Sequence, residues 1–269
     1  MHVDALFTYA TLFGFLFTLA RISSVFAFLP LAAFRGASDT PKIFLSLAFT
    51  MILWPEWKAP VSSDASIGDA TIGDATIGRI VAGLAGEVVL GLAIGLSLAI
   101  VLEVFQIAAQ VVSLQAGFGF ASTIDPNSGA DSTVLLSLAQ ITAGLLFFAT
   151  GADRLLVRAL ADSLRLCPPE SFVAQKVWAD AVIRFAASIF GAGLRLAAPV
   201  VALLMLTDAA LAVLGRVQTQ IQLVSLTIPV KLGASMLLLS ATLGLQPKFF
   251  TSMMTQGIRL IEGMLRSGH

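Results

Sequence analysis

The stretch GLAGEVVLGLAIGLSLAIVLEVFQIAAQVVSLQAG, residues 83–117, decides the class of fold. It carries only two charged residues, Glu87 and Glu103, and it is longer than the roughly 20 apolar residues that a membrane-spanning helix needs. The stretch therefore predicts one long apolar helix or a broken pair of helices. A second uncharged run, residues 132–152, has about the length of a single span.

The composition of the whole chain agrees with a membrane protein. Hydrophobic residues make up 57% and charged residues 12% of the 269 residues, whereas soluble domains are about half apolar and about a quarter charged. A soluble domain of this length would need more polar surface to cover its core. Further apolar blocks at 5–34, 43–55, 186–214 and 232–246 predict additional helices. We expect an all-α, polytopic membrane protein built from helical hairpins.

The chain is interpreted as a single membrane domain, 1–269, in which three segments differ from the apolar blocks. The first apolar block lacks a basic segment before it and is interpreted as a retained helix, not a removed signal peptide. The three segments are a polar loop with a Gly-Asp-Ala-Thr-Ile repeat at 56–79, a charged, solvent-facing segment at 153–184 and an amphipathic tail at 248–269. A period of five fits neither a helix nor a strand, so the repeat is interpreted as loop.

Polar residues form a stripe on each of two predicted helices. At 100° per residue, the polar side chains between 103 and 113 share one narrow helix face, and those between 133 and 140 share another. Five of these residues are candidates for lining a polar path: Gln106, Gln110, Ser113, Ser137 and Gln140.

The linker between the two stripes, residues 114–130, is apolar although its glycines and turn residues disfavour a helix. Irregular backbone at membrane depth is tolerated only where it is buried in protein or lines a water-filled cavity. One interpretation is a re-entrant loop that plugs a path lined by the two stripes. The other is a helical hairpin whose stripes hydrogen-bond to each other, with the linker simply packed against it.

Four charged residues stand in or beside otherwise apolar helices: Arg195, Asp208, Arg216 and Lys231. A charge at the centre of a membrane helix costs roughly 2.5–3.5 kcal/mol on insertion scales, so each of them needs a partner or a wet cavity. Pairing across helices or across subunits is the first interpretation. A proton or ion relay, as in a secondary transporter, is the alternative.

The sequence offers little for catalysis, cofactors, metal ions or nucleic acid. Its two histidines are His2 and His269, Cys167 is the single cysteine, and the net charge is zero. A zinc or iron–sulfur cluster of cysteines is excluded, and there is no basic patch for nucleic acid. We expect no enzyme activity, no catalytic residue and no cofactor.

Two stretches carry a resemblance to a known family. LQAGFGFASTIDPNSG at 114–129 resembles the pattern LQxGxGFAxxxDPxxG of the FliR family of type III export-gate subunits. The second stretch runs from LAAP at 196–199 through Asp208 and Arg216 to IPVK at 228–231, and it resembles the ALP, D, R and FPxK of that family. After Arg216 the sequence departs from the family, because a proline, an asparagine, a phenylalanine and a glycine are replaced. The repeat at 56–79 is also no part of the pattern.

The resemblance implies a role and a set of partners. FliR-like proteins assemble with FliP-like and FliQ-like subunits, and with an FlhB-like subunit, into a helical gate that conducts unfolded flagellar proteins. The gate lies in the bacterial inner membrane at the flagellar basal body, in contact with lipid, and projects toward the periplasm. The homologous gate of an injectisome is the alternative. Carried onto this chain, the family's pore plug corresponds to Gly117, Phe118, Gly119, Phe120 and Ala121, followed by the turn residues Asp125, Pro126 and Gly129. The four charged residues would be intra- or inter-subunit contacts.

Overall fold

A computed structural model of the protein describes residues 9–28, 40–53, 74–118, 133–169, 171, 176–217 and 223–267. Within these ranges the secondary structure is helical and contains no strand, which confirms the predicted all-α fold. The helices are α1 (Tyr9–Phe28), α2 (Thr40–Ile52), α3 (Asp74–Ala116), α4 (Thr133–Ala149), α5 (Ala152–Leu166), α6 (Lys176–Val217), α7 (Leu223–Thr242) and α8 (Gln246–Ser267). A 3₁₀ turn, Leu243–Leu245, joins the last two.

The described part of the chain has two helices that are long and apolar enough to cross a membrane. They are α3 and α6, and the bent pair α4–α5 would make a third span if it is counted as one. The break in that pair falls at Gly151, which has a φ of 73° in the left-handed region that glycine adopts without strain. The prediction of a polytopic membrane protein is confirmed.

The start of α3 differs from the sequence-based prediction. The helix begins at Asp74, inside the segment 56–79 that was predicted to be loop throughout. Adding a residue to an existing helix forms one hydrogen bond for each residue that is fixed, so a long apolar helix extends easily into a neutral sequence. An acidic residue at the first position is also favourable, because it lies at the positive end of the helix dipole. The rest of the repeat lies outside the described residues.

The chain divides into two compact units, which are described separately. Unit 1 takes in residues 1–100, 151–186 and 254–269, and unit 2 takes in residues 101–150 and 187–253. Helices α3, α6 and α8 therefore contribute residues to both units. The sequence analysis had interpreted the chain as a single membrane domain.

In unit 1, α3 lies directly against α1 at two glycines. A Cβ atom on Gly95 would lie 2.7 Å from the carbonyl oxygen of Val25, and one on Gly91 would overlap Ser24 and the backbone of Arg21. Only a residue without a side chain permits so close an approach of two backbones. Gly91 and Gly95, four residues apart, thus form a packing site between the two helices.

The charged segment between 153 and 184 includes α5 in unit 1. Its charged side chains at Arg154, Arg158, Asp162 and Arg165 are exposed, while Leu156, Leu160 and Leu164 on the opposite face are buried. The helix is amphipathic, with leucines at a spacing of four residues facing the core. The start of α6, from Lys176, continues the charged segment.

The core of unit 2 is formed where α3, α4 and α6 meet. Its buried members are small or branched apolar residues, which let the helices approach closely. They are Ala108, Ala109, Val112, Ala116, Leu135, Ala197, Val200 and Leu204. The predicted tail is α8, whose buried positions are Phe250, Met253, Met254, Ile261, Met264 and Leu265.

Candidate functional site

The C-terminal end of α3 marks the entry to the linker that the sequence singled out. Helix α3 ends at Ala116, and Gly117 follows with a φ of 83°. The Phe118 N–H donates to the Ser113 carbonyl at 3.1 Å, and the Gly117 N–H donates to the Leu114 carbonyl at 3.3 Å. This pair of bonds around a left-handed glycine is a Schellman motif. Phe118 then packs against the core of unit 2, so the first side chain after the helix is anchored.

The left-handed backbone at Gly117 gives a prediction. Gly117→Ala should lower the free energy of unfolding by about 1–2 kcal/mol, because a Cβ is strained at positive φ. Gly191→Ala is the matched control: this glycine lies inside α6 with open space around it, and alanine there should raise stability by roughly 0.5–1 kcal/mol. Thermal unfolding of the purified variants measures both. Equal effects of the two substitutions would contradict the helix-end assignment.

A cluster of polar groups, Gln115, Asp208 and Lys231, holds this helix end against α6 and α7. The Lys231 Nζ lies 2.5 Å from the Asp208 Oδ1, and the Gln115 Nε2 donates to the Asp208 Oδ2 at 3.0 Å. Lys231 also approaches the Gln115 carbonyl oxygen at 3.5 Å. A positive charge here complements the negative end of the α3 dipole. We call these three residues the charge cluster. Gln115, the member of the charge cluster on α3, lies two residues before Gly117.

Loss of the Asp208 carboxylate should loosen this helix end. The pair is only partly buried, with Lys231 17% and Asp208 36% exposed, so we expect Asp208→Ala to cost about 1 kcal/mol of stability. In an export gate, the role that the resemblance implies, we expect a larger effect: reduced yield of the assembled complex or reduced export in motility assays. Asp180→Ala is the control, since this carboxylate is exposed on the same helix. Normal complex yield and normal export for Asp208→Ala would make the charge incidental.

The five predicted pore-lining residues differ in their exposure. Gln110 and Ser137 are exposed, and the Gln106 side chain donates to Glu103 at 2.8 Å. Ser113 is fully buried and its hydroxyl oxygen has no hydrogen-bond partner, and the same is true of the Nε2 atom of Gln140. Ser113 is therefore covered by other parts of this chain, and the pore-lining role of the five residues stays a prediction. The prediction treated each helix alone, and the packing of α3 against other helices covers part of its stripe.

The remaining two charges of the predicted set are not buried. Arg195 and Arg216 are exposed on α6, and no ion pair within the described residues joins them to an acidic group. The expected pairing across helices is therefore not found for these two arginines among the described residues. Exposure leaves contact with another subunit as the interpretation that accommodates them. Asp208 and Lys231, by contrast, pair across two helices.

The structure reveals an ion pair that the sequence analysis did not predict. Arg21 on α1 and Glu87 on α3 are 0% and 1% exposed, and the Arg21 Nε lies 2.5 Å from the Glu87 Oε2. Arg21 also donates to the carbonyl oxygens of Ser163, at 2.7 Å, and Cys167, at 2.9 Å. One guanidinium thus joins α1 to α3 and satisfies free carbonyls at the C-terminal end of α5. Lone opposite charges in two apolar helices were the available signal for this pair.

Cys167 lies one residue beyond α5, and its carbonyl oxygen accepts a hydrogen bond from this guanidinium. Its side chain is fully buried and its thiol lies 3.7 Å from the Leu265 carbonyl oxygen. Burial raises the pKa of the Cys167 thiol, since desolvation disfavours the thiolate. Arg21 opposes this rise in pKa and Glu87 adds to it. The thiolate is the reactive form, so this cysteine is protected from alkylation in the folded chain.

Of the predicted plug, Gly117 and Phe118 are described above. Gly119, Phe120 and Ala121, with the turn residues Asp125, Pro126 and Gly129, lie outside the described residues. No group of three or more potential metal ligands occurs within the described ranges. The site that the structure brings together is therefore the capped end of α3 with the charge cluster behind it.

These features define an all-helical polytopic membrane protein with a charge cluster at the C-terminal end of α3 and a buried ion pair between α1 and α3. A comparison with known families identifies the family of the chain. Residues 12–257 match the model of "Bacterial export proteins, family 1", and the chain belongs to that family. The match covers, in whole or in part, the eight helices of the described residues.

Individual relatives are distant but extend over most of the chain. A flagellar biosynthetic protein FliR from Pectobacterium carotovorum is 25% identical over 254 residues, covering 93% of this chain and 92% of that protein. FliR from Bacillus subtilis is 25% identical, with 84% of each chain covered. The surface presentation of antigens protein SpaR from Salmonella typhimurium is 22% identical, covering 82% of this chain and 79% of SpaR.

Proposed function

We propose that this chain is a subunit of a flagellar type III export gate and forms part of the pore that unfolded flagellar proteins cross. Membership of the bacterial export family is the observation that carries the proposal. The FliR relatives, matched over most of their length, favour a flagellar system. The role is that of a structural component of a conduit and requires no chemistry from the chain itself.

Unsatisfied apolar surface supports assembly with other subunits. Helix α6 has a mean hydropathy of 2.1 over its most apolar part, and only 17% of that part is buried within the chain, against 61% for α3. Large side chains such as Phe190, Met205 and Leu206 are more than half exposed. Patches of this kind mark surfaces that lipid or protein covers. We propose that FliP-like, FliQ-like and FlhB-like subunits cover part of α6, with Arg195 and Arg216 among the contacts.

The structure also supports a plug based on Gly117–Ala121. A plug needs a fixed base, so that the segment beyond it returns to the same place. The Schellman motif fixes the direction in which the chain leaves α3, and the charge cluster ties that last turn to α6 and α7. We propose that the residues beyond this base occlude the export path in the resting gate.

The location follows from the same proposal. The gate would lie in the bacterial inner membrane at the flagellar basal body, with part of the assembly projecting toward the periplasm. The long apolar helices support insertion of the chain into a membrane.

An injectisome gate is the second candidate, favoured by the similarity to SpaR of Salmonella typhimurium. Neighbouring genes distinguish the two systems, since hook and rod genes would accompany a flagellar gate and needle genes an injectisome gate. A secondary transporter, the alternative weighed from the sequence, is less well supported, because Asp208 is paired with Lys231 and Arg195 is exposed.

Co-purification tests the proposal directly. We expect the tagged chain, extracted in mild detergent, to bring down two smaller membrane subunits in a complex of defined mass. Mass measurement of the intact complex identifies its members. Isolation of the chain alone from cells that carry the full gene set, together with transport of a small solute or protons in liposomes, would contradict the gate and favour the transporter.

A further inference from the structure

Unit 2 contains a cavity that the proposed function does not use. Its volume is about 330 Å³, and its walls come from α3, α4, α6, α7 and the start of α8. Sites for small molecules have volumes of roughly 300–1,000 Å³. The space exists because the facing positions of α3 and α6 are alanines, Ala108, Ala109 and Ala197. Most of the remaining wall consists of leucine, valine, methionine and phenylalanine side chains.

One part of the wall is polar and offers hydrogen-bond acceptors. The hydroxyls of Thr142, Ser240 and Thr242 each donate to a carbonyl of their own helix, at 2.7–2.9 Å, which leaves their lone pairs available. The side-chain oxygen of Gln246 is buried and has no hydrogen-bond partner. A buried acceptor without a donor is costly and requires an explanation. A ligand that supplies the donor is such an explanation.

The charge of the cavity narrows the ligand further. None of the residues that line it carries a charge, and an ionised group buried there would lack a counter-charge. An apolar wall with one acceptor end fits a neutral molecule with an aliphatic tail and one donating head group. Molecules of this class dissolve in the membrane that the apolar helices enter.

We propose that this cavity binds a neutral single-chain amphiphile, with its chain along the alanine wall and its head-group hydroxyl donating to the Gln246 Oε1. Free long-chain alcohols and monoacylglycerols share this chemistry. The chain lies in an apolar space from which it excludes water, and the hydroxyl satisfies the one buried acceptor. The inference is independent of the gate assignment, since it rests on the geometry of unit 2 alone.

Photoaffinity labelling of the full-length protein in lipid nanodiscs tests the site. The probe is a dodecanol analogue with a diazirine in its chain, and peptide mapping locates the adducts. We expect adducts on α3 between 105 and 112 and on α6 between 196 and 200. Unlabelled dodecanol should compete at a concentration roughly three- to tenfold lower than dodecane, because it keeps the hydrogen bond to Gln246.

Two variants and a control make the test specific. Ala197→Leu fills the cavity and should reduce labelling by at least about tenfold. Ala198→Leu is the control. Ala198 is the next residue along α6, is exposed and lies outside the cavity, so labelling should not change. Gln246→Leu keeps the cavity and should abolish the preference for dodecanol over dodecane. This second variant needs no repacking of the core, so it tests the site even where Ala197→Leu does not fold.

Three results would overturn the proposal. The first is labelling that is spread over the exposed apolar faces and unaffected by Ala197→Leu. The second is equal competition by dodecanol and dodecane in the unsubstituted protein. The third is loss of cavity labelling once other subunits co-purify with the chain, since a protein side chain would then be the occupant.

Discussion

Arg21→Met is expected to lower the free energy of unfolding by about 3–5 kcal/mol, the range found when one member of a buried ion pair is removed. The methionine leaves Glu87, 1% exposed, without its cationic partner. It also removes the donors to the carbonyl oxygens of Ser163 and Cys167. Thermal unfolding of the purified variant measures the loss of stability. The alkylation rate of Cys167, the single cysteine, reports on the same place and should rise.

Two further variants separate the ion pair from a general effect of losing an arginine. Arg158→Met removes an exposed arginine on α5 and should change stability by less than about 0.5 kcal/mol. The double variant Arg21→Met with Glu87→Met removes both charges and should recover much of the loss, because the Glu87 carboxylate no longer stays buried without the Arg21 guanidinium. An Arg21→Met variant that unfolds at the original temperature would show that the pair does not hold unit 1 together.

Deletion of Gly117–Ala121 is expected to open the resting gate. Assembly should persist, because the charge cluster and the core of unit 2 lie before and beyond the deleted residues. The membrane should then conduct small ions in the absence of export, whereas the intact gate should not. Ion leak is measured as growth inhibition in high salt and as conductance of the purified complex in a planar bilayer.

The chain supplies a deletion of equal length as the control. Residues 68–72, Gly-Asp-Ala-Thr-Ile, are one unit of the repeat, and removing them should leave both assembly and ion leak unchanged. An unchanged leak after deletion of Gly117–Ala121, in a complex recovered at normal yield, would remove the plug assignment. A leak caused equally by both deletions would indicate a general loosening of the protein.

Local sequence signals predicted much of the fold correctly. Each apolar block became a helix, because the backbone of an apolar segment must satisfy its own hydrogen bonds. The helix break at Gly117 was also predictable, since a glycine at positive φ is a common end of a helix. The start of α3 was not, because a five-residue period gives no sign that a helix continues through it.

Contacts between residues that are far apart in the chain could not be predicted from the sequence. Arg21 and Glu87 are 66 positions apart, and nothing in either helix indicates which charge finds which partner. The burial of Ser113 likewise depends on which helices cover α3, not on the face of α3 that carries the stripe. The pairing of Asp208 with Lys231 was one of several arrangements that a single chain allowed.

The length of α3 has a consequence for the life of the protein in the cell. Its 43 residues extend about 65 Å at 1.5 Å per residue, about twice the thickness of the hydrocarbon core of a membrane. A bilayer therefore shields only part of such a helix. The same holds for α6, which has 42 residues. Until its partner subunits are present, a newly inserted copy leaves apolar parts of these long helices uncovered. We expect quality-control proteases to degrade such unassembled copies. The cellular amount of this protein should therefore rise and fall with the amount of its partner subunits.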